Sequence, residues 1–156
     1  MRIFTIITLC LMPVTQASAT EFRCYPPDPA SYFQAVQASP DQYRIVVGLF
    51  DFDPALLPNA SGADLFPTVQ PIPAQFTGQA LGPDGPGADV AFDLTILPSC
   101  IMVTCATLTP GLPTLAFLRQ AETGPVLDLY PCNTPLFAPM PETLVLLSAC
   151  LRGAAC

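Results

Sequence analysis

The sequence contains no histidine, no lysine and no tryptophan, and charged residues make up only 11% of it. The absence of histidine removes the commonest general base and, with it, most zinc and catalytic-triad chemistry. The absence of lysine removes Schiff-base catalysis. Only carboxylates remain as acids and bases, so the composition favours a protein that is not an enzyme.

Positive charge is scarce as well. The five basic residues are all arginines, and twelve acidic residues bring the net charge to −7. Basic side chains that neutralise phosphates supply most of the affinity for nucleic acids, so this chain is not expected to bind DNA or RNA. The same shortage argues against binding to anionic lipid surfaces. We interpret the acidity as a source of solubility.

The first 19 residues are typical of a secretion signal. Arg2 gives a positive n-region, residues 3–14 form an apolar h-region, and Ala17-Ser18-Ala19 is a cleavage signal of the A-x-A type. The apolar run is about 12 residues long, whereas a membrane-spanning helix needs about 20. We therefore predict a signal peptide at 1–19, a single domain at 20–156, and no membrane span.

The seven cysteines are the most informative residues that the chain does contain. Cys10 lies in the predicted leader and leaves open a lipoprotein anchor, although the preceding Leu9 is not a small residue. The other six lie in the predicted mature chain: Cys24, Cys100, Cys105, Cys132, Cys150 and Cys156. An even set behind a secretion signal predicts three disulfides and a periplasmic or secreted location.

Sequence spacing also favours particular disulfide pairs. Cys100 with Cys105 and Cys150 with Cys156 are close enough for local bridges, which leaves Cys24 to pair with Cys132. The last bridge would close a loop of about 100 residues and stabilise the chain by about 4–5 kcal/mol in the chain-entropy model. We therefore expect Cys24→Ser to cost more stability than Cys150→Ser. A zinc site made by the two local pairs is the alternative, but disulfides are favoured in an exported chain, and we expect no metal and no cofactor. Neither spacing is CxxC, so a redox catalyst is not expected.

Twenty prolines are scattered along the chain and exclude a mainly helical fold. Helices are predicted at 29–38, after the Asp28-Pro29 start signal, and at 141–151, from Pro141. The second is expected to have an apolar face, which consists of Leu144, Val145, Leu147 and Leu151. Strands are predicted from β-branched and alternating apolar residues at 43–52, 74–81, 89–97, 114–120 and 126–130. Five short strands with a helix at each end suit a small closed barrel.

Paired carboxylates are the remaining candidates for chemistry. Asp51 and Asp53 stand two apart at a strand end, and Asp89 and Asp93 stand four apart on another strand. Such pairs can hydrolyse glycosides. A calcium site from Asp51, Asp53, Asp84 or Asp89 is a further alternative, although no EF-hand loop is present. We interpret these residues as solvated strand ends and turns, and we predict no catalytic residue.

The loop between Cys100 and Cys105 is the candidate partner contact. It holds three apolar residues, Ile101, Met102 and Val103, within a short segment. Such residues are either buried under a neighbouring element or presented to a partner. A loop pinned at both ends loses little entropy on docking.

Several short motifs occur in an order that resembles the netrin-like modules, which include the tissue inhibitors of metalloproteinases, and resembles more closely small bacterial exported proteins of the same layout. The motifs are Ile45-Val46-Val47-Gly48, the strand 74–81 (AQFTGQAL), the pair Cys100 and Cys105, the strand 109–118 (TPGLPTLAFL), and Pro131-Cys132 before a terminal helix. The resemblance implies a five-stranded OB-like barrel with flanking helices, which binds through the loops at one barrel end. The inhibitors chelate zinc through a cysteine at the first mature residue. Here residues 20–23 precede Cys24 and no CxC follows, so that mechanism is not carried over.

The sequence thus predicts an exported, disulfide-stabilised, mainly β protein with an OB-like barrel. Its expected function is that of a non-catalytic periplasmic binding or interaction module, whose partner is a periplasmic or envelope protein. The alternatives are a structural or assembly factor of the cell envelope and, less favoured, a carboxylate-dependent hydrolase.

Overall fold

The computed structural model describes residues 28–59, 68–101, 104–132 and 135–156. The elements in chain order are α1 (Pro29–Gln37), β1 (Tyr43–Asp51), the 3-10 helix η1 (Pro54–Leu56), β2 (Ile72–Gly82), β3 (Gly85–Pro98), β4 (Cys100–Ile101), β5 (Thr104–Cys105), β6 (Thr114–Ala121), β7 (Gly124–Leu129), β8 (Leu136–Phe137) and α2 (Pro141–Leu151). The fold is therefore mainly β with two helices, as the sequence predicts.

Five of the strands close into a barrel. β1 pairs antiparallel with β2 on one side and with β6 on the other. β3 pairs antiparallel with β2 and parallel with β7, and β7 pairs antiparallel with β6, so the ring β1-β2-β3-β7-β6 is complete. Closure leaves none of these five strands with a free edge. The prediction of a closed five-stranded barrel is confirmed.

Both helices begin where their local signals predict. The carboxylate of Asp28 accepts a hydrogen bond from the Ser31 amide at 2.9 Å, and Pro29 occupies the first turn of α1. α2 begins at Pro141 with Glu142 in its first turn, although its N-cap residue, Met140, makes no side-chain cap. The start of each helix could be predicted from nearby residues alone, because caps and first-turn prolines act within a few residues.

The barrel interior is filled by apolar side chains from all five strands. Phe50 and Phe76 are fully buried there, with ring centroids 5.2 Å apart. Ala106 and Leu108, which follow the Cys100–Cys105 segment, are buried in the same cluster. The connection between β3 and β6 thus closes one end of the barrel.

A pair of glycines allows β1 and β2 to approach closely inside this barrel. Gly48 and Gly78 lie directly opposite one another in the β1–β2 register. A Cβ built on Gly48 would come within 2.7 Å of the Gly78 Cα and 2.8 Å of the Phe76 ring, and still closer to the Thr77 carbonyl oxygen. These two positions therefore have no room for any side chain.

A second core lies between the helices and the outside of the barrel. α1 contributes Phe33 and α2 contributes Leu147, and both pack with Phe117 of β6. β6 is consequently covered on both faces, and its residues 114–118 are all buried. The predicted apolar face of α2 is wrong at Val145, which is 68% exposed. At 3.6 residues per turn, a residue two positions before the buried Leu147 points to the opposite side of the helix.

The β2–β3 hairpin is longer than the sequence predicts. β2 begins at Ile72, two residues before the predicted start, and β3 begins at Gly85, four residues before it. Gly82 pairs with Gly85 around the two-residue turn Pro83-Asp84, and Gly85 has a φ of 108°. Because glycine adopts positive φ without steric cost, the Gly-Pro-Gly segment continues the strand instead of ending it.

Candidate functional site

The topology gathers the long connections at one end of the barrel. β1, β3 and β7 run in one direction, while β2 and β6 run in the other. The connections that follow the C-terminal ends of β1, β3 and β7 are therefore neighbours, and we call this end of the barrel the loop end. Its described residues are 52–59, 68–71, 99–101, 104–113, 130–132 and 135–140. The opposite end, the turn end, carries the tight turns 82–85 and 121–124 and the start of β1. The loop end is where the chain departs most from regular structure.

A disulfide-closed hairpin stands at the loop end. β4 and β5 pair with Cys100 opposite Cys105, and these two residues are joined by a disulfide with a Cα–Cα distance of 4.0 Å. The Ser99 hydroxyl donates to the Leu129 carbonyl at 2.8 Å, so the base of the hairpin is fixed to the end of β7. Ile101 is 46% exposed. Of the three candidate contact residues, Ile101 is thus presented to solvent, while Met102 and Val103 lie outside the described residues.

The other cysteines follow the same pattern where the structure describes them. Cys150 and Cys156 are joined by a disulfide with a Cα–Cα distance of 5.7 Å. Cys132 is disulfide-bonded as well, and its predicted partner, Cys24, lies outside the described residues, as does the predicted leader. Because the two local pairs are bridged, their sulfurs do not provide the thiolates that a zinc site would need.

An apolar cleft lies beside the hairpin, between the β3–β6 connection and β8. Its volume is about 370 Å³, and its lining includes Leu108, Leu112, Pro113 and Phe137. The Gly111 amide donates to the Phe50 carbonyl at 3.0 Å and fixes the tip of the connection against the end of β1. Leu112 itself is 57% exposed at the cleft's edge. The cleft is therefore anchored by backbone contacts and open to a partner.

Exposed apolar side chains concentrate at the loop end. Nine large apolar residues are exposed in the described part of the chain. Six of them lie at the loop end: Leu56, Val69, Ile101, Leu112, Tyr130 and Met140. The other three are Leu49, near the end of β1, and Val145 and Leu146 on α2. A concentration of this kind at one end of a small protein is typical of an interaction surface.

Positively charged side chains are distributed in the opposite way to the exposed apolar ones. The three described arginines lie away from the loop end: Arg44 near the start of β1, Arg119 near the end of β6, and Arg152, which donates to the Pro83 carbonyl. Asp51 and Asp53 border the loop end, where the Asp53 carboxylate accepts from the Ala55 amide at 2.9 Å and caps η1. The described part of the loop end is consequently apolar with an acidic border.

The predicted carboxylate pairs occupy an outer face of the barrel. Asp51 is opposite Gln75 in the β1–β2 register, and Gln75 is opposite Asp93 in the β2–β3 register, so the three form one row across the sheet. A cleft of about 290 Å³ runs past Gln75 and Asp93. Asp89 is four residues along β3 from that row, where its carboxylate accepts from Gln79 Nε2 at 3.0 Å. The row is open to solvent and is the only place where the predicted pairs meet among the described residues.

The four carboxylates named for a possible calcium site do not all lie together. Asp84 lies in the turn after β2, at the turn end, whereas Asp51 and Asp53 lie at the loop end. At about 3.3 Å per residue, the length of β2 separates Asp84 from Asp51 by more than about 20 Å. No group of three or more acidic, cysteine or histidine residues in the described ranges is close enough to hold a metal ion.

A shielded tyrosine, Tyr32, lies on α1, and an ion pair joins two strands of the barrel wall, β6 and β7. Arg119 donates to Asp128 through Nε at 2.8 Å and through Nη2 at 3.0 Å. Burial raises the pKa of Tyr32 to about 12, with smaller contributions from Tyr43 and Asp128. The Tyr32 ring packs edge-on against Phe117 at 5.0 Å. The Tyr32–Phe117 contact thus holds α1 on the barrel, while the ion pair joins β6 to β7.

The sequence interpretation missed Leu112 and its cleft. The sequence does contain a signal for an exposed leucine. Leu112 stands between Gly111 and Pro113, in a segment that can neither continue a strand nor bury a side chain easily. The cleft itself could not be read from the sequence, since its two sides come from segments more than 20 residues apart.

Comparison with known proteins gives no relative for this chain: neither a family model, nor a curated protein, nor a solved structure matches it. A separate finding concerns membranes. None of the helices in the described ranges has the length and apolar character needed to cross a bilayer.

Proposed function

We propose that this protein is an exported, non-catalytic binding module that contacts a periplasmic or envelope protein through the loop end of its barrel. The observation that carries the proposal is the concentration of exposed apolar side chains there, above all Leu112 at 57% and Ile101 at 46% exposure. Exposed apolar surface is costly to keep in a small soluble domain unless a partner covers it. Export is supported by the predicted leader and by the disulfides.

We further infer that the barrel is of the OB type, as the netrin-like resemblance implies. Supporting this are the five strands, the ring order β1-β2-β3-β7-β6, and the single parallel contact between β3 and β7. OB barrels bind through the face of their second and third strands and the loops that join strands 1–2 and 4–5. Of these parts, the β1–β2 connection belongs to the loop end.

The chemistry of the loop end indicates the kind of partner. An apolar surface with an acidic border, and with the described arginines elsewhere, suits a protein whose contact patch is apolar with basic residues at its edge. It does not suit nucleic acid, because the acidic border would repel phosphates.

The test is site-specific capture of the partner. A photo-crosslinking residue at Leu112 or Ile101 of the mature protein should crosslink to a discrete partner in periplasmic extract, and the same residue at Thr77 on the outer sheet face should not. In quantitative capture, the double variant Ile101→Ser/Leu112→Ser should weaken retention of that partner by at least about tenfold, which corresponds to ~1.4 kcal/mol. The matched control is Val145→Ser/Leu146→Ser, which removes two exposed apolar side chains from α2 instead. If the α2 variant loses the partner and the loop-end variant keeps it, the proposal is wrong.

A structural or assembly role in the cell envelope is the second candidate, and the α2 surface favours it. Val145 is 68% exposed beside Leu146, which gives a second apolar patch on a flat helix face. An assembly factor would use both patches at once. In that case both double variants would weaken capture, and each would release a different partner.

A hydrolase that uses Asp51 and Asp93 is the remaining alternative. If the Asp51–Gln75–Asp93 row were catalytic, Asp51→Asn and Asp93→Asn would each abolish a glycosidase activity of the folded protein. We expect no such activity in the mature protein with any aryl glycoside tested.

A further inference from the structure

A second cavity lies at the turn end, away from the loop end, between α1 and the start of β1. Its volume is about 400 Å³. Its floor includes Phe33 of α1, Ile45 of β1 and Phe117 of β6, which are between 1% and 7% exposed. A cavity with an apolar floor and this volume falls at the small end of the range for small-molecule sites, about 300–1,000 Å³.

The rim of the cavity is polar and carries one cation. Gln37, Gln42 and Arg44 line it, and all three are exposed. The amides of the two glutamines can donate as well as accept hydrogen bonds, while Arg44 can only donate. Polar groups that converge on an apolar floor are what fixes the orientation of a bound small molecule.

Arg44 differs from the other described arginines in having a free side chain. Arg119 is held by Asp128, and Arg152 donates to the Pro83 carbonyl. The guanidinium of Arg44 makes no hydrogen bond or ion pair with any described residue, although Asp41 is only three positions away. In a chain with twelve acidic residues and five basic ones, a cation left without a carboxylate beside an apolar cavity is available for a ligand.

We propose that this cavity binds a small amphipathic carboxylate. The apolar body of the ligand lies against Phe33, Ile45 and Phe117, and its carboxylate accepts charge-assisted hydrogen bonds from Arg44. Arginine suits this task because its planar fork matches the two carboxylate oxygens. The volume selects a short ligand, and the glutamine amides of the rim can complete its hydrogen bonds. The inference goes beyond the proposed function, since it concerns the opposite end of the barrel.

The experiment is isothermal titration of the mature protein with octanoate, and with 1-octanol as the uncharged analogue. Octanoate should bind saturably and at least about tenfold more tightly than 1-octanol, as expected for the added charge-assisted hydrogen bonds. Arg44→Gln should remove that advantage and leave 1-octanol binding unchanged. The matched control is Arg152→Gln, which removes the same charge from an arginine that does not line the cavity. Its affinity for octanoate should stay within about twofold of that of the parent protein.

Methyl resonances locate the ligand independently. Octanoate should shift the methyl signals of Ile45 and leave those of Leu112 at the loop end unchanged. The Leu112→Ser variant should bind octanoate normally, so failure of the loop-end proposal does not affect this one. The proposal is overturned by an absence of saturable octanoate binding, by equal losses in Arg44→Gln and Arg152→Gln, or by shifts at Leu112 instead of Ile45.

Discussion

Replacement of either glycine of the Gly48–Gly78 pair by alanine should strongly destabilise the barrel. The two residues face one another inside the barrel, and the Cβ of alanine at Gly78 would come within 2.6 Å of the Gly48 Cα and 2.8 Å of the Phe76 ring. The closest atom in each case is a backbone carbonyl oxygen, of Thr77 or Val47. A side chain can change rotamer to relieve such a contact, but paired backbones can only move apart. The strands must therefore separate where the barrel is closed.

The size of the effect follows from two opposing contributions. Overpacking of a filled core costs typically about 1–3 kcal/mol, and more where the backbone must move. Replacing glycine returns about 0.5–1 kcal/mol, because alanine has less conformational freedom to lose on folding. Because the obstruction here is backbone, the cost lies at the upper end of that range, and we expect each variant to lose about 2 kcal/mol or more of the free energy of unfolding. For a domain of this size that corresponds to a fall of roughly 5–10 °C in the melting temperature.

The assay is equilibrium unfolding in urea, with thermal melting as a second readout. The matched control is Gly82→Ala in the same strand, where the Cβ would meet its nearest atom, the Gly85 carbonyl oxygen, at an ordinary 3.6 Å. That variant should stay within about 0.5 kcal/mol of the parent protein. Adding Phe76→Leu to Gly48→Ala should not restore stability, because the nearest obstruction is backbone. If Gly48→Ala and Gly82→Ala prove equally stable, the close approach of the two strands does not exist in solution.

Three further predictions concern α1, the ion pair between β6 and β7, and the disulfide-closed β4–β5 hairpin. Burial raises the pKa of Tyr32 from 10.0 to about 12. The stability that the neutral phenol contributes is therefore complete below pH 10 and is lost as the pH rises through about 12. In urea unfolding at pH 9–12, Tyr32→Phe should reduce the fall of the free energy of unfolding with rising pH. Asp128→Asn breaks the bidentate pair with Arg119 and should cost about 1 kcal/mol by urea unfolding, less in high salt. Cys105→Ala opens the hairpin bridge and should cost about 2 kcal/mol in the same assay. It should also weaken partner capture by the loop end more than Gly48→Ala does, a variant of similar expected instability that leaves the hairpin intact.

The parts of the fold that could be predicted are those with local or repeating signals. Asp28-Pro29 and Pro141 fixed the helix starts, since a cap acts over three residues. The alternation around Leu94 and Ile96 located β3 and its buried face correctly. Five strands then required a closed sheet, because open edges are costly. The ring of pairings in the structure agrees with that expectation.

The parts that could not be predicted depend on contacts between distant segments. The burial of Leu147 but not Val145 depends on which side of α2 rests on the barrel, and the apolar composition of that helix does not distinguish its sides. The pairing of Gly48 with Gly78 requires the register of two strands that are separated by a long connection. The same holds for the candidate sites: Ile101 was found because a disulfide encloses it, whereas the cavity beside Arg44 is made from both helices and from strands far apart in the sequence.

The two proposed surfaces would bind by different physical means, and ionic strength separates them. The loop end offers apolar area held by a disulfide and by backbone hydrogen bonds, so its affinity should come from buried surface and from small losses of entropy. The turn end relies on one exposed guanidinium, and salt screens exposed charges within a Debye length of about 10 Å at 0.1 M and about 3 Å at 1 M. Raising sodium chloride from 0.1 to 1 M should therefore weaken octanoate binding several-fold and leave partner capture at the loop end unchanged or slightly stronger. If both bindings weaken together, the loop end is not primarily an apolar surface, and its acidic border at Asp51 and Asp53 makes the main contribution instead.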